Sequence, residues 1–404
     1  MRIAYVVPYV PNLIRTRPYN LIRQLHSLGH DIDVFTLGSG RQDVEDARVL
    51  AGKSGNVRYH VQPVWRSYLN SAAALFSGQP LQSVYSWQAG MARNLAQRVS
   101  QKEFDIVHVE HLRGSRYGVF IKEKFPGMPV VWDSVDCISH LFKQASAQST
   151  DLFSKLVTRF ELDRTRETEA RLLRIFDHVL VTSATDRSAL LELPANGSKP
   201  APVSVVSNGV DQEFFHPNPD IERDSDTLVF SGKMSYHANI SMIKYLIAEI
   251  MPRIWKVRRA ARLLIVGKDP PPDIRELGNN PRITVTGTVN DIRPFLWQAA
   301  VSVVPLLYGA GIQNKILEAM ATGTPVVTTP GALSALRARA GSDVLVAADA
   351  QEFSQVILRL MNDKNLRREI GSAGASYVAA QHSWTAIASH LVEIYQENTK
   401  LRGD

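Results

Sequence analysis

Short runs of β-branched and apolar residues recur along this chain, each followed by a longer stretch with apolar residues at helical spacing. That alternation admits few folds, because a strand that returns parallel to its neighbour needs a crossover, and the crossovers here read as helices. The runs form two series. The first holds Ile3–Val7, Asp31–Thr36, Val57–Val61, Ile106–Val109, Val130–Asp133 and His178–Thr182. The second holds Val203–Val206, Thr227–Ser231, Arg262–Val266, Ile283–Thr286, Val301–Pro305, Pro325–Thr328 and Val344–Ala347. Between Pro18 and Gly29, residues Leu21, Ile22, Leu25 and Leu28 mark one helical face, and Gly29 closes that helix just before the second run. The pattern predicts an α/β chain of two doubly wound domains.

With 404 residues the chain exceeds one ordinary core. The breaker-rich segment from Leu193 through Asn196-Gly197 to Pro202 has linker composition and sets the expected boundary. The expected division is an N-terminal domain over 1–192, a linker over 193–202, a second domain over 203–382, and a C-terminal helix over 383–404. Ile387, Leu391, Ile394 and Tyr395 share one face of that last helix, which is expected to cross back to the first domain. A hydrophobic share of 45% with 21% charged residues excludes a disordered chain. The single cysteine, Cys137, permits no internal disulfide and points to a reducing, cytoplasmic setting. No apolar run nears the roughly 18–20 residues that span a bilayer, and Met1–Pro8 reads as a first strand rather than a signal segment. A net charge of +7 suits an anionic partner such as a phosphate, a nucleotide, an acidic lipid or a nucleic acid.

The most informative segment runs from Val303 to Val327. It reads as a strand, the turn Gly309-Ala310-Gly311, a helix from about Ile312 to Ala321, a Gly323 cap and another strand. Glycines let backbone amides approach an anion, and a helix N-terminus adds unpaired N–H donors with about half a positive charge. Gly309, Gly311, Ile312 and Gln313 would hold a diphosphate, Lys315 could reach over it, and the Glu318 carboxylate could accept from the two hydroxyls of a ribose. The plain alternative is a tight turn followed by solvated helix residues, since a Gly-x-Gly turn is weak evidence by itself.

Lys315-Ile316-Leu317-Glu318-Ala319-Met320-Ala321-Thr322-Gly323-Thr324-Pro325-Val326-Val327 resembles the nucleotide-sugar signature of the retaining family 4 glycosyltransferases of GT-B fold. Further matches lie in Pro8, Gly29-His30, Phe104-Asp105-Ile106-Val107-His108, Ser207-Asn208-Gly209-Val210-Asp211 with Phe215 and Pro217, Val266-Gly267, and Val285-Thr286-Gly287. The resemblance implies two facing Rossmann-like domains, a donor diphosphate on the glycine-rich turn, Glu318 on the ribose, and Gly232 and Gly287 in the donor site. Two departures stand out. Ala310 occupies the place of a family glutamate that contacts the donor sugar. After Gly232 the family has an arginine and, five or six residues on, a lysine; here Lys233 supplies one cation, Ala238 and Asn239 stand in place of the other, and Lys315 is a partial substitute. The Gly-x-Gly-x-x-x-Lys-x-Leu-Glu-Ala pattern is similar to that of exopolysaccharide-type sugar transferases.

On the first domain, His108-Val109-Glu110-His111 ends a strand where the family often has His-x-His. Glu110 and His111 are therefore candidate catalytic groups beside Lys233 and Lys315, whereas His108 reads as a hydrogen-bonded strand histidine. Arg15 and Arg17, in the first post-strand loop, and Asp133 and Asp136, after another strand, are acceptor-side candidates; a helix cap is an equal reading for one aspartate. Alternating charge across Lys155–Arg174 favours a salt-bridged surface helix over nucleic-acid binding. The one-sided Arg253-Ile254-Trp255-Lys256-Val257-Arg258-Arg259 is a candidate for peripheral contact with an anionic membrane.

The expected activity is retaining transfer of a sugar from a nucleoside diphosphate to a saccharide or lipid-linked glycan, with no cofactor. No metal is expected either, because no Asp-x-Asp pair stands where a strand ends. A non-catalytic nucleotide- or glycan-binding protein of the same fold and a nucleotide-sugar epimerase remain as alternatives.

Overall fold

The computed structural model describes residues 1–74, 78–148, 152–193, 199–308 and 312–400. The chain divides into two compact units, Met1–Asn208 with Trp384–Asp404, and Gly209–Ser383.

The first unit is built on a seven-stranded sheet of β1 (Arg2–Val7), β2 (Asp31–Gly38), β3 (Asn56–Val61), β4 (Ile106–Glu110), β5 (Val130–Val135), β6 (His178–Val181) and β7 (Val203–Val205), in the order β3-β2-β1-β4-β5-β6-β7. Every pairing is parallel. Central strands of such a sheet are covered on both faces, which is why β1 reads as a continuous apolar run and β4 as one broken only by His108 and Glu110. All five residues of β4 are buried, including His108 and Glu110, so each of these polar groups must find a partner inside the unit. The strand order reverses between β1 and β4, which pair through Ile3 opposite Ile106 and Tyr5 opposite His108. Ligands of doubly wound sheets sit beyond the carboxyl ends of strands at such a reversal.

The second unit carries a six-stranded parallel sheet of β8 (Asp224–Ser231), β9 (Arg262–Val266), β10 (Ile283–Gly287), β11 (Ala299–Val304), β12 (Val326–Thr328) and β13 (Leu345–Val346), in the order β10-β9-β8-β11-β12-β13. Its reversal falls between β8 and β11.

The expected boundary shifts. Val203–Val205, read from the sequence as opening the second domain, is β7 of the first sheet, with Val203 opposite Val179. Arg187 Nε donates to the Val203 carbonyl at 2.9 Å, and His178 Nε2 lies 2.9 Å from Ser204 Oγ. The first unit therefore runs on to Asn208, and the 193–202 segment lies inside it. Proline- and glycine-rich composition marks a loop but does not say whether the loop joins two domains or two strands of one sheet.

The helix Trp384–Lys400 belongs to the first unit. Its Ile387, Leu391, Ile394 and Tyr395 are buried in one cluster with Leu21, Ile22 and Leu25 of the helix Thr16–Ser27. At about 1.5–3 kcal/mol for each large apolar side chain fully buried, this face anchors the chain terminus.

Candidate functional site

In the second unit the post-strand turns are packed backbone to backbone. Gly232 after β8 and Gly267 after β9 have φ of +150° and +149°. A Cβ on Gly267 would lie 1.8 Å from the Gly232 carbonyl oxygen, so the second glycine is a steric necessity. Gly287, closing β10, sits at φ +68°.

Against these turns lies the helix Asn314–Ala321, which starts two residues earlier in the reading from sequence and here is preceded by buried Ile312 and by Gln313. Gln313 makes no side-chain cap, so the first turn is not closed by its own sequence. Lys315 is only 8% exposed. Its Nζ donates to Asn239 Oδ1, and Asn239 Nδ2 in turn donates to the Lys233 carbonyl at 2.8 Å. The ammonium stands 5.2 Å above the Phe230 ring. Burial pulls the Lys315 amine down to about 8, with Glu318 opposing the fall. Burial also pushes the Glu318 carboxyl up to about 7, against the pull of Lys315. A buried amine and a half-buried carboxyl on one helix, both titrating near neutrality, form a pair whose charge is incompletely satisfied until an anion arrives. Lys233 is exposed on the loop after β8.

Asn239 is the residue that sequence reasoning named only as a missing cation. It occupies that cation's place on the helix His237–Tyr245 and bridges Lys315 to the Lys233 carbonyl of the preceding loop. Nearby, His237 Nδ1 lies 2.8 Å from the Tyr308 hydroxyl, with the two rings 5.5 Å apart and nearly parallel. The Gly309, Ala310 and Gly311 positions lie outside the described residues.

The first unit gathers polar groups beyond the ends of β1, β4 and β5. Arg17, expected as a free acceptor-side cation, is buried instead: its Nε donates to Asp133 Oδ2 at 2.9 Å and its Nη1 to Asn208 Oδ1 at 3.0 Å. Asp133 is fully buried, and burial raises its carboxyl against the pull of Arg17. A charged pair without solvent needs such mutual neutralisation, and neither member is free for a ligand. His108 stacks on Tyr5 with ring centres 4.2 Å apart, and its Nδ1 meets the Tyr395 hydroxyl at 2.7 Å. Burial takes the imidazole down to about 3, so it is neutral.

Glu110, expected as a catalytic group, is 1% exposed, with Tyr5 donating to Oε2 at 3.1 Å and Tyr9 to Oε1 at 2.6 Å. Burial, then Asp133, push its carboxyl up to about 8. Its visible work is to hold Tyr9. Arg15 remains exposed, with its guanidinium 5.0 Å from the Tyr9 ring centre. Asp136 is partly buried and accepts from Thr182 Oγ1 at 3.3 Å; burial and Asp186 raise it to about 7.

His111 keeps its candidacy. It takes φ +63° directly after β4, while Val135, ending β5 alongside, takes φ +69°. A left-handed β-branched residue is a rare conformation, and strained backbone gathers at functional sites. The Arg113 N–H points at His111 Nδ1 from 3.4 Å, which leaves the proton of the neutral ring on Nε2. Burial holds this imidazole near 4, so at neutral pH it offers an N–H donor rather than a charge. Tyr5 and Tyr395 carried no sequence signal, because they read as ordinary core and helix residues, and Tyr9 carried none within the loop after the first strand. Among the described residues, no group of three or more His, Cys, Asp or Glu side chains gathers as a metal site.

Two family models match this chain: one described as Glycosyltransferase Family 4 over residues 14–214, the other as Glycosyl transferases group 1 over residues 225–363. Together they span most of the sequence, which is that of a glycosyltransferase of GT-B architecture. The chain belongs to the group 1 and family 4 type of these proteins. Among curated relatives, an MMP alpha-(1->4)-mannosyltransferase of Mycolicibacterium hassiacum is 25% identical, over 94% of this chain and 93% of its own. A D-inositol 3-phosphate glycosyltransferase of Corynebacterium aurimucosum is 24% identical, over 94% and 89%. Among solved structures, Anabaena HepE in complex with UDP-glucose has a TM-score of 0.70 at 14% identity, covering 98% of this chain and 100% of its own. The sucrose-phosphate synthase of Thermosynechococcus elongatus has a TM-score of 0.70 at 18% identity, covering 98% of both chains.

Proposed function

We propose that this protein is a retaining, metal-independent transferase that moves a hexosyl unit from a nucleoside-diphosphate sugar to a hydroxyl of a saccharide or lipid-linked glycan. It would act in the cytoplasm, in polysaccharide assembly. The observation that carries this reading is the buried Lys315, tied to Asn239 on the helix His237–Tyr245 that follows β8 and paired with Glu318. Negative charge grows on the leaving nucleoside diphosphate during transfer, and a cation fixed in a low-dielectric setting stabilises it more than it stabilises the ground state. Arrival of the diphosphate draws Lys315 back to full protonation. Glu318 takes the ribose hydroxyls, and Lys233 adds charge from the loop. A donor phosphate oxygen helps to remove the acceptor proton. Acceptor recognition falls to the first unit, where the His111 Nε2–H, Tyr9, Arg15 and Asp136 are the groups at hand. The curated relatives include a mannosyltransferase and an inositol phosphate glycosyltransferase, which supports a hexosyl unit and a hydroxyl acceptor.

The test is incubation with a panel of nucleotide sugars, with and without mixed saccharide and lipid-linked acceptors, following released nucleotide. Acceptor-dependent release is expected for at least one donor. Calorimetry that finds no binding of any nucleoside diphosphate or its sugar would overturn the assignment.

A further inference from the structure

Between Ala47 and Lys102 the sequence contains no aspartate or glutamate, yet it carries Arg48, Lys53, Arg58, Arg66, Arg93, Arg98 and Lys102, a charge as large as the +7 of the whole chain. Arg48, Arg58 and Arg98 are matched by carboxylates from outside the segment, namely Glu45, Asp33 and Glu103. Lys53, Arg66, Arg93 and Lys102 are exposed, and none of them meets a carboxylate among the described residues. Four unmatched cations thus stand in one acid-free stretch of the first unit.

The helix Val64–Ala74 lies within that stretch, and its polarity is inverted. The face turned inward carries Ser67 and Ala74, 3% and 2% exposed, with Asn70 donating to the Trp87 carbonyl at 2.9 Å. The face turned outward carries Val64, Trp65, Tyr68 and Leu69, with Trp65, Tyr68 and Leu69 exposed by 59–66%. Val61, at the end of edge strand β3 just before this helix, is 58% exposed as well. A surface helix in water places its large apolar residues on the opposite face. Trp and Tyr side chains on such a face suit the boundary between headgroups and acyl chains, where the ring is buried and its polar edge stays wet. Arg66 stands 5.6 Å from the Trp65 ring centre, which puts a cation at the same depth. At the far end of the helix, Arg164 donates to the Ala74 carbonyl at 3.3 Å and stacks 3.8 Å from Phe160, which is 46% exposed. No described helix is long and apolar enough to cross a membrane, so contact through this face would be peripheral.

The segment expected from sequence to touch lipid is less suited. Arg258 is engaged by Asp226 and Asn362, and Trp255 donates to the Ala261 carbonyl at 2.9 Å beneath Arg282.

We infer that the outer face of the helix Val64–Ala74 docks this protein on an anionic lipid surface, with Trp65, Tyr68 and Leu69 inserting at the headgroup boundary and Arg66 pairing with lipid phosphate. The inference deepens the reading of a lipid-linked acceptor, but its test is independent of turnover. The full-length protein is sedimented with vesicles of phosphatidylcholine alone and with vesicles containing phosphatidylglycerol, at low and high salt. Binding is expected to the anionic vesicles, to weaken with salt, and to fall at least about tenfold in the double variant Trp65→Ser, Leu69→Ser, a loss of about 1.4 kcal/mol. Arg66→Glu should lower binding while leaving melting temperature and nucleoside-diphosphate affinity unchanged. Absence of vesicle binding in a protein that still binds nucleotide would overturn the inference and leave the transferase reading intact. Binding untouched by these variants would also overturn it. So would a concentration-dependent dimer that the same substitutions dissolve, because the face would then belong to a second copy of this chain.

Discussion

Replacing Lys315 by methionine separates function from stability, because the two should move in opposite directions. The ordinary lysine amine titrates at 10.5, and burial holds this one at about 8. At about 1.4 kcal/mol per pH unit, keeping it charged costs the fold about 3 kcal/mol at neutral pH. The sign follows from proton counts: between pH 8 and 10.5 the unfolded chain binds more protons than the native one, so stability rises with pH across that window. Methionine keeps the length and apolar volume without the charge. It also leaves Asn239 Oδ1 without its donor, at about 1–2 kcal/mol, and lets Glu318 rise further and stay protonated. The net expectation for the ligand-free protein is a gain of about 1 kcal/mol, or roughly 2–4 °C in the melting temperature of the second unit. Nucleotide binding should weaken by about 10- to 150-fold, the worth of one charge-assisted hydrogen bond of about 1.5–3 kcal/mol, and kcat should fall further because the leaving group is more negative in the transition state. Thermal melts at pH 7 and 9, with calorimetric titration of UDP and GDP, read all of these quantities. A lower melting temperature combined with unchanged nucleotide affinity would refute the reasoning and make Lys315 a packing residue.

Glu318→Gln should weaken nucleotide affinity about tenfold and erase discrimination between ribose and 2′-deoxyribose nucleotides; an intact preference for ribose would remove Glu318 from the sugar. Its carboxyl titrates at about 7, so wild-type affinity should decline below that pH and the variant's should not. Gly267→Ala should abolish donor binding and destabilise the second unit by more than 2 kcal/mol, because its Cβ meets the Gly232 carbonyl at 1.8 Å; denaturant titration checks it, and a variant of wild-type stability would mean that the two turns separate easily. Glu110→Gln tests the buried acid. Its native carboxyl is raised to about 8, so the native state holds a proton that the unfolded chain releases above about 4.5, and wild-type stability should fall as pH rises from 4.5 to 8. The variant should flatten that slope in melts at pH 5 and pH 9, and a slope unchanged by the substitution would place the titration elsewhere.

The strands were legible in the sequence because burial on both faces of a parallel sheet demands largely apolar runs, and β1, β4, β8, β9 and β11 supply them. The helix carrying Lys315 and Glu318 was legible for a related reason: it is a continuous local motif. β7 was assigned to the wrong sheet, since three residues of strand between loops carry no information about which edge they join. The first-unit candidates fared differently. Arg17 and Glu110 were chosen as polar groups after strands, and both proved to be occupied by residues far along the chain: Arg17 by Asp133, 116 positions away, and Glu110 by Tyr5, 105 positions away. A sequence shows that a polar residue sits in an apolar run but not which distant side chain will satisfy it.

That difference bears on the chemistry each unit has to offer. In the second unit the charged groups are incompletely satisfied by the protein: Lys315 has one neutral hydrogen-bond partner in Asn239, and the nearest carboxylate, Glu318, itself titrates near neutrality. Such a centre gains most from an incoming anion, as expected of a donor site selected for phosphate. In the first unit Arg17 and Asp133 neutralise each other, His108 is capped by Tyr395, and Glu110 is capped by two phenols. A centre satisfied in this way has little charge to offer, and its value is rigidity: it fixes Tyr9 and the strained turns at His111 and Val135. Recognition by that surface would then rest on neutral hydrogen bonds and shape, the chemistry suited to a saccharide hydroxyl.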